Sequence, residues 1–349
     1  MTVLLHLLLL FSSVRFVNQP FRSSQRVGAG HLPVLVADTK GQVHIVYGLD
    51  STIYYAVASQ TPDQFNPPMA VAKLPHLVAG AKRGPQLAVT ERYVVITAVN
   101  QMGDLFAYSL DRQRGRWSAA VRINDIAEVA KEGFQAVTGA SDGTFHAVWL
   151  DLRQDKANKI VMATSPDGGR TWSANQVVYR SPSGSVCECC KVSIAANQSD
   201  VYIQFRNWLN GSRDLYLAHS TNGGTSFGSV QKLGSGTWKL NACPMDGGAV
   251  SLSPTGQPFT VWRRENTLYT CRPGEPEQAI GTGRNVTTAT DSVGRALAWN
   301  EGNLVWLKLD NREPIRLGTG QMPSVALVNG FAICAWEADG QVVSAVTAR

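Results

Sequence analysis

One pattern recurs seven times in the 349-residue chain: a short apolar strand, a polar turn, a second apolar strand, and an aromatic followed by polar residues. LPVLVADTKGQVHIVYGLD, GFQAVTGASDGTFHAVWLDLR and MPSVALVNGFAICAWEADG are three of the copies. Tyr47, Trp149, Phe205, Trp262, Trp299 and Trp336 occupy one column of the repeat, and Val99 fills it in the second copy. Copies set roughly 35 to 60 residues apart and built only of strands mean an array of small sheets. A ring of such sheets leaves only short, protected edges, so the pattern predicts an all-β fold with a single β-propeller of seven four-stranded blades.

Within each copy the alternation of VHIVY or FHAVW marks half-buried strands. First strands such as SIAAN carry small residues, as crowding around a propeller axis requires. The seventh copy stops after its third strand at Arg349. The segment 16–27, FVNQPFRSSQRV, reads as a lone outer strand that pairs with the last strand and closes the ring.

The chain opens with an apolar run, 3–11, followed by Ser12 and Ser13. It reads as a secretory signal over 1–14, although its start lacks the usual positive charge. The propeller domain then covers 16–349, and the protein is expected to be secreted or periplasmic. No run of 18 apolar residues is present to span a membrane as a helix. The net charge of +6 is scattered, with no basic tract of the kind that binds nucleic acid. A monomer is expected.

Ser165-Pro-Asp167-Gly-Gly169-Arg-Thr171-Trp172 matches the Asp-box pattern S-x-D-x-G-x-T-W/F, and Ser220-Thr-Asn222-Gly-Gly224-Thr-Ser226-Phe227 is a second version of it. Both fall between the third and fourth strands of successive copies. In such a box the acidic or amide side chain caps turn N–H groups, Gly takes φ > 0 and the aromatic packs into the blade. On these motifs the chain resembles the sialidase-like, BNR-repeat β-propellers over nearly its whole length. CECCK (187–191) and ACPMDGG (242–248) resemble paired motifs of an exported bacterial subgroup. The resemblance implies a structural role for the boxes and an acidic glycan as ligand. Sialidase chemistry would need an Arg triad, an Asp acid and a Tyr nucleophile. Such enzymes have six blades, the alternative to the seven counted here. The last Tyr in this chain is Tyr269, so no Tyr stands where the nucleophile of an exo-α-sialidase would come.

Propeller topology puts the loops after second strands and the loops leading into first strands on one face. Both cysteine motifs lead into adjacent blades there, beside Arg206, Arg263 and Arg264. Converging guanidiniums clamp anions, and the resemblance makes these three the ligand arginines and Asp50 or Asp151 the candidate acid. The same arginines can equally serve as structural bridges to neighbouring acids. Cys187, Cys189, Cys190 and Cys243 read either as disulfide staples between the two loops or, with Met245, as a soft-metal site of copper type. No cofactor is otherwise required. Cys271 and Cys334 read as buried free thiols. A soft-metal binding protein and a non-catalytic protein-binding scaffold are the rival functional classes.

Overall fold

A computed structural model describes residues 22–58 and 64–349, and among them there is no helix. The leader read at 1–14, and the first part of the closing segment, 16–21, lie outside the described residues.

Seven antiparallel sheets follow one another along the chain. Blade 1 comprises His31–Ala37, Val43–Leu49, Thr52–Ala58 and Met69–Lys73. Blade 2 comprises Gln86–Val89, Tyr93–Val99, Leu105–Asp111 and an outer strand split into Arg116–Trp117 and Val121–Arg122. Blade 3 runs through Gln135–Gly139, Phe145–Asp151, Lys159–Ser165 and Gln176–Tyr179. Blade 4 runs through Ser193–Ala196, Val201–Leu209, Ser212–Ser220 and Gln231–Lys232. Blade 5 holds Ala249–Leu252, Pro258–Arg264, Thr267–Cys271 and Gln278–Thr282, and blade 6 holds Arg284–Thr290, Arg295–Glu301, Leu304–Leu309 and Ile315–Thr319. Blade 7 takes Gln321–Val328, Phe331–Ala338 and Gln341–Ala348 from the C-terminal end and Arg22–Ala29 from the N-terminal end.

The ring is therefore closed by a strand from the opposite end of the chain. Arg22–Ala29 runs antiparallel to Gln341–Ala348, from Arg22 opposite Val346 to Ala29 opposite Gln341. Gly30 N–H then donates to the Gly340 carbonyl at 3.0 Å. Arg349 anchors the other terminus through Asp291 of the neighbouring blade 6, at 2.6 Å.

No single core fills this molecule. Seven apolar clusters lie between adjacent blades, one for each interface, including the one that joins blade 7 to blade 1. The aromatic column feeds them: Trp149, Phe205 and Trp336 are each at most 1 % exposed. Column residues pair across the hairpin with a second ring in Tyr47–Tyr54, Phe205–Tyr216 and Trp262–Tyr269, stacked at 5.6, 6.3 and 6.2 Å. They also cover the glycine that opens their own blade. Gly320 sits at φ 139 with Trp336 against it, and a Cβ there would overlap the ring and the Glu337 carbonyl. Gly30 with Tyr47 and Gly283 with Trp299 repeat the arrangement.

Three blades bulge just past that glycine. Leu32, Asn285 and Met322 adopt left-handed φ of 57, 57 and 54°, and the strand register shifts at each. Such a bulge re-aims a side chain. All three line a cavity of ≈ 210 Å³ on the propeller axis, to which every blade contributes.

Two outcomes follow from this packing. A chain beginning at Gly30 should melt at lower temperature and elute partly as oligomer, because the Gln341–Ala348 edge is then unpaired. Unchanged melting and a clean monomer by light scattering would contradict the closure. Trp336→Ala should cost about 3–5 kcal/mol in chemical denaturation, the usual loss for a fully buried large aromatic.

Candidate functional site

The loops leading into blades 4 and 5 meet beside the axis. Gly247 of the second loop lies so close to the first that a Cβ would overlap the Lys191 carbonyl. Only glycine permits that approach. Next to it Asp246 is buried and accepts from the Arg263 Nε and the Asn285 N–H, both at 3.0 Å. Burial would raise the Asp246 pKa, but the charges of Arg263, Lys82 and Arg206 and the Asn285 N–H hold it below the ordinary carboxylate range.

Arg206 is 2 % exposed and directs its nitrogens inward. Nε donates to the Asp246 carbonyl at 2.9 Å, Nη1 to the Arg213 carbonyl at 2.6 Å and Nη2 to the Arg263 carbonyl at 2.8 Å. Arg263, besides Asp246, donates to the carbonyls of Pro244 at 2.7 Å and Glu265 at 2.5 Å. Both guanidiniums lie over the Trp238 ring, at 5.3 and 5.1 Å. Arg264 instead binds Glu277 at 2.8 Å and lies over Tyr269. The three arginines read from sequence as an anion clamp thus hold loops and turns. Two of them converge, but on the backbone around residues 244–246.

The candidate acids are placed apart, on blades 1 and 3. Asp50 is exposed at a left-handed turn position, φ 51°, between the second and third strands of blade 1. Asp151 is fully buried; Oδ1 accepts from Arg153 Nε and Oδ2 from Trp149 Nε1, both at 2.8 Å. Arg153 N–H and Nη2 fill its remaining positions at 2.7 and 3.0 Å. This carboxylate seats an aromatic of the column, and its oxygens are occupied by Trp149 and Arg153.

What the two loops do bring together is sulfur. Cys187 Sγ lies 3.4 Å from Cys190 Sγ and 3.7 Å from Cys189 Sγ, and all three are buried. Met245 packs against them, and Cys243 sits exposed with its sulfur beside Cys189. None of the six cysteines is in a disulfide, and Cys271 and Cys334 are buried in their own blades away from the cluster. Arg213 donates to Cys187 Sγ at 3.1 Å and the Asp246 N–H to Cys190 Sγ at 3.4 Å. Burial raises the Cys190 thiol, yet hydrogen bonds from Cys187 and Cys189, with the Arg206 charge, hold it well below its usual range. Cys187 is pushed up in turn, first by its hydrogen bonds to Cys189 and Cys190. Cys243 is pushed up to about 11, chiefly by Cys189.

The basic groups that do line the axial cavity are lysines. Lys82 Nζ reaches the Met245 carbonyl at 2.5 Å, and burial pulls its pKa down to about 8 against the attraction of Asp246. Burial lowers Lys191 as well. Both lysines were legible only as members of lead-in loops, with no signal that they face the axis.

On the opposite face, Asp167 Oδ1 accepts the N–H groups of Arg170 and Thr171 at 3.1 and 2.9 Å, and Ser165 Oγ accepts that of Gly169 at 2.8 Å. Asn222 and Ser220 repeat this with Ser226 and Gly224 at 2.9 Å each. Trp172 packs into the interface of blades 2 and 3, and Phe227 into that of blades 3 and 4. The two turns therefore lock successive blades together.

No family model matches the chain, and no curated protein matches it in sequence. Solved structures do match in fold. The BP39L lectin from Burkholderia pseudomallei superposes with a TM-score of 0.66 at 9% identity, over 93% of this chain and 97% of that one. A polysaccharide lyase, ulvan lyase bound to -[GlcA(1-4)Rha3S]-, gives 0.55 at 13% identity, over 93% and 95%. The Hadza microbial sialidase Hz136 gives 0.53 at 12% identity, over 94% of this chain and 68% of that one. At these identities the likeness shows the fold.

Arg206→Met should lower the unfolding free energy by about 3 kcal/mol, since three buried carbonyls lose their donors. Arg264→Met should cost less, about 1–2 kcal/mol, because Glu277 keeps its hydrogen bonds from the Ser235 and Gly236 N–H groups. Urea titrations of the two variants compare them directly. The pKa of Glu277 is held at about 2: burial would raise it, but the Ser235 N–H, Arg264 and the Gly236 N–H outweigh that. Its contribution to stability is complete above its unfolded value near 4.5 and is lost as pH falls toward 2. Glu277→Gln should therefore flatten the acid limb of stability against pH.

Proposed function

We propose that this chain is a glycan-binding propeller that takes an acidic sugar at the axial mouth, on the face that carries the cysteine loops. The observation that carries this reading is the cavity on the axis with two lysines, Lys82 and Lys191, on its wall, the Asp246 carboxylate there being paired with Arg263. A half-buried lysine gains most from an anion, because the anion restores the charge compensation that burial removes. Threonines 287 and 288, Gln86 and Asn285 also line the cavity and supply neutral hydrogen-bond partners for hydroxyls. A wall more polar than apolar suits a ligand rich in hydroxyls.

The fold neighbours support the substrate class. They include a lectin, a sialidase and a polysaccharide lyase bound to a glycan with a uronic acid and a sulfate. In this reading Arg206, Arg263 and Arg264 act as scaffold, and the lysines meet the acid. Hydrolysis is not part of it: Asp151 is saturated by Arg153 and Trp149, and Asp50 stands at an exposed turn. Export is part of this reading, on the leader expected at 1–14.

Calorimetric titration with a uronic-acid tetrasaccharide and with a sialyl trisaccharide, against neutral oligosaccharides of equal length, tests the proposal. Binding should be confined to the acidic sugars. Lys82→Ala and Lys191→Met should each weaken it by roughly tenfold or more, the loss of one charge-assisted hydrogen bond. Affinity should hold up to pH of about 8 and fall above it, as Lys82 loses its proton. Equal affinity for neutral sugars, or indifference to both lysine variants, would overturn the reading. Turnover of a fluorogenic sialoside would overturn its non-catalytic part.

A further inference from the structure

We propose that the Cys187, Cys189 and Cys190 sulfurs form a three-coordinate site for Cu(I), closed from outside by Cys243 and the Met245 thioether. The site does not rest on the glycan reading, because its ligands are sulfurs of the loop pair and not the axial lysines.

Geometry comes first. A metal ion bound to three thiolates at about 2.3 Å in one plane needs sulfurs about 4 Å apart. Two edges of the triangle measure 3.4 and 3.7 Å, and all three sulfurs lie within 4.8 Å of one another. A shift of a few tenths of an ångström seats an ion, whereas a disulfide would need one pair to close to about 2.05 Å. The three sulfurs come from a single C-x-C-C turn, so the triangle survives motion of the second loop.

Chemistry selects the ion. Three buried thiolates with a thioether at their edge form a soft donor set, which favours Cu(I). Tetrahedral zinc would need a fourth ligand to close its shell, and Cys243, the thiol beside the cluster, is exposed. Charge is balanced within the protein. Three thiolates and Cu(I) carry a net −2, and Arg213 donates to Cys187 while Arg206 lies beside the loop on which the Asp246 N–H faces Cys190. N–H donors to ligand sulfurs fix their orientation as outer-shell partners do elsewhere. Each thiol that binds releases its proton to solvent.

The full chain, reduced and kept free of oxygen, is titrated against Cu(I) held by the coloured chelator bicinchoninate. One ion per chain should transfer to the protein. Cys187→Ser and Cys190→Ser should abolish the transfer, and Arg213→Met should weaken it by roughly 10- to 100-fold. Cys271→Ser and Cys334→Ser should leave it unchanged. Copper-edge X-ray absorption on the unaltered protein needs no variant and should show three sulfurs at about 2.3 Å. A nitrogen or oxygen shell there would overturn the proposal. So would zinc binding tighter than Cu(I) and dependent on Cys243. A disulfide between any two of Cys187, Cys189 and Cys190 in protein exported by the cell, read by alkylation and mass spectrometry, would also overturn it.

Discussion

The cysteine-bearing face is tied together through one residue, Asp246, by its buried carboxylate and by its own backbone. Its attraction to Arg263 and the N–H of Asn285 fixes the lead-in loop of blade 5 against blade 6. Its carbonyl takes the Nε of Arg206 from blade 4, and its N–H points to Cys190. One residue thus couples three blades, two arginines and the thiol cluster. A buried ion of this kind is costly alone and is tolerated only when surrounded by donors. The arrangement explains why the motif continues as Asp-Gly-Gly: the residue after Asp246 must let the other loop's backbone touch it.

The seven blades, the closure and the aromatic column were legible in the sequence because they obey simple periodicities. Alternation places Trp149 or Trp336 inward, and a missing fourth strand in the last copy calls for one from the other terminus. The likeness of the column went further than sequence alone suggested, since three of its rings, Tyr47, Trp299 and Trp336, also cover the glycine that opens their blade. The split outer strand of blade 2 left no periodic signal, because two residues on each side are too few to show alternation.

The site was legible in outline and not in direction. Sequence position puts Arg206 and Arg263 on the cysteine-bearing face, but it cannot say that their nitrogens turn inward. That choice is made by unsatisfied carbonyls of the tight loop at 244–246, which exist only once the two loops meet. The same meeting puts Lys82, some 160 residues earlier, against the Met245 carbonyl. Asp151 shows the limit again: an acid two residues after a column tryptophan is read as chemistry, whereas in the fold it satisfies that tryptophan's N–H and its own neighbour Arg153.

The central claim is that Asp246 organises the face that carries the cysteine loops, while the blades fold without it. Asp246→Asn keeps the shape and removes the charge, so the measurement is the alkylation rate of Cys187 and Cys190, resolved by mass spectrometry, alongside far-ultraviolet circular dichroism. The account predicts a native β-sheet spectrum with both thiols alkylated far faster than in the unaltered protein. Thiols as protected as before, in a folded ring, would contradict it.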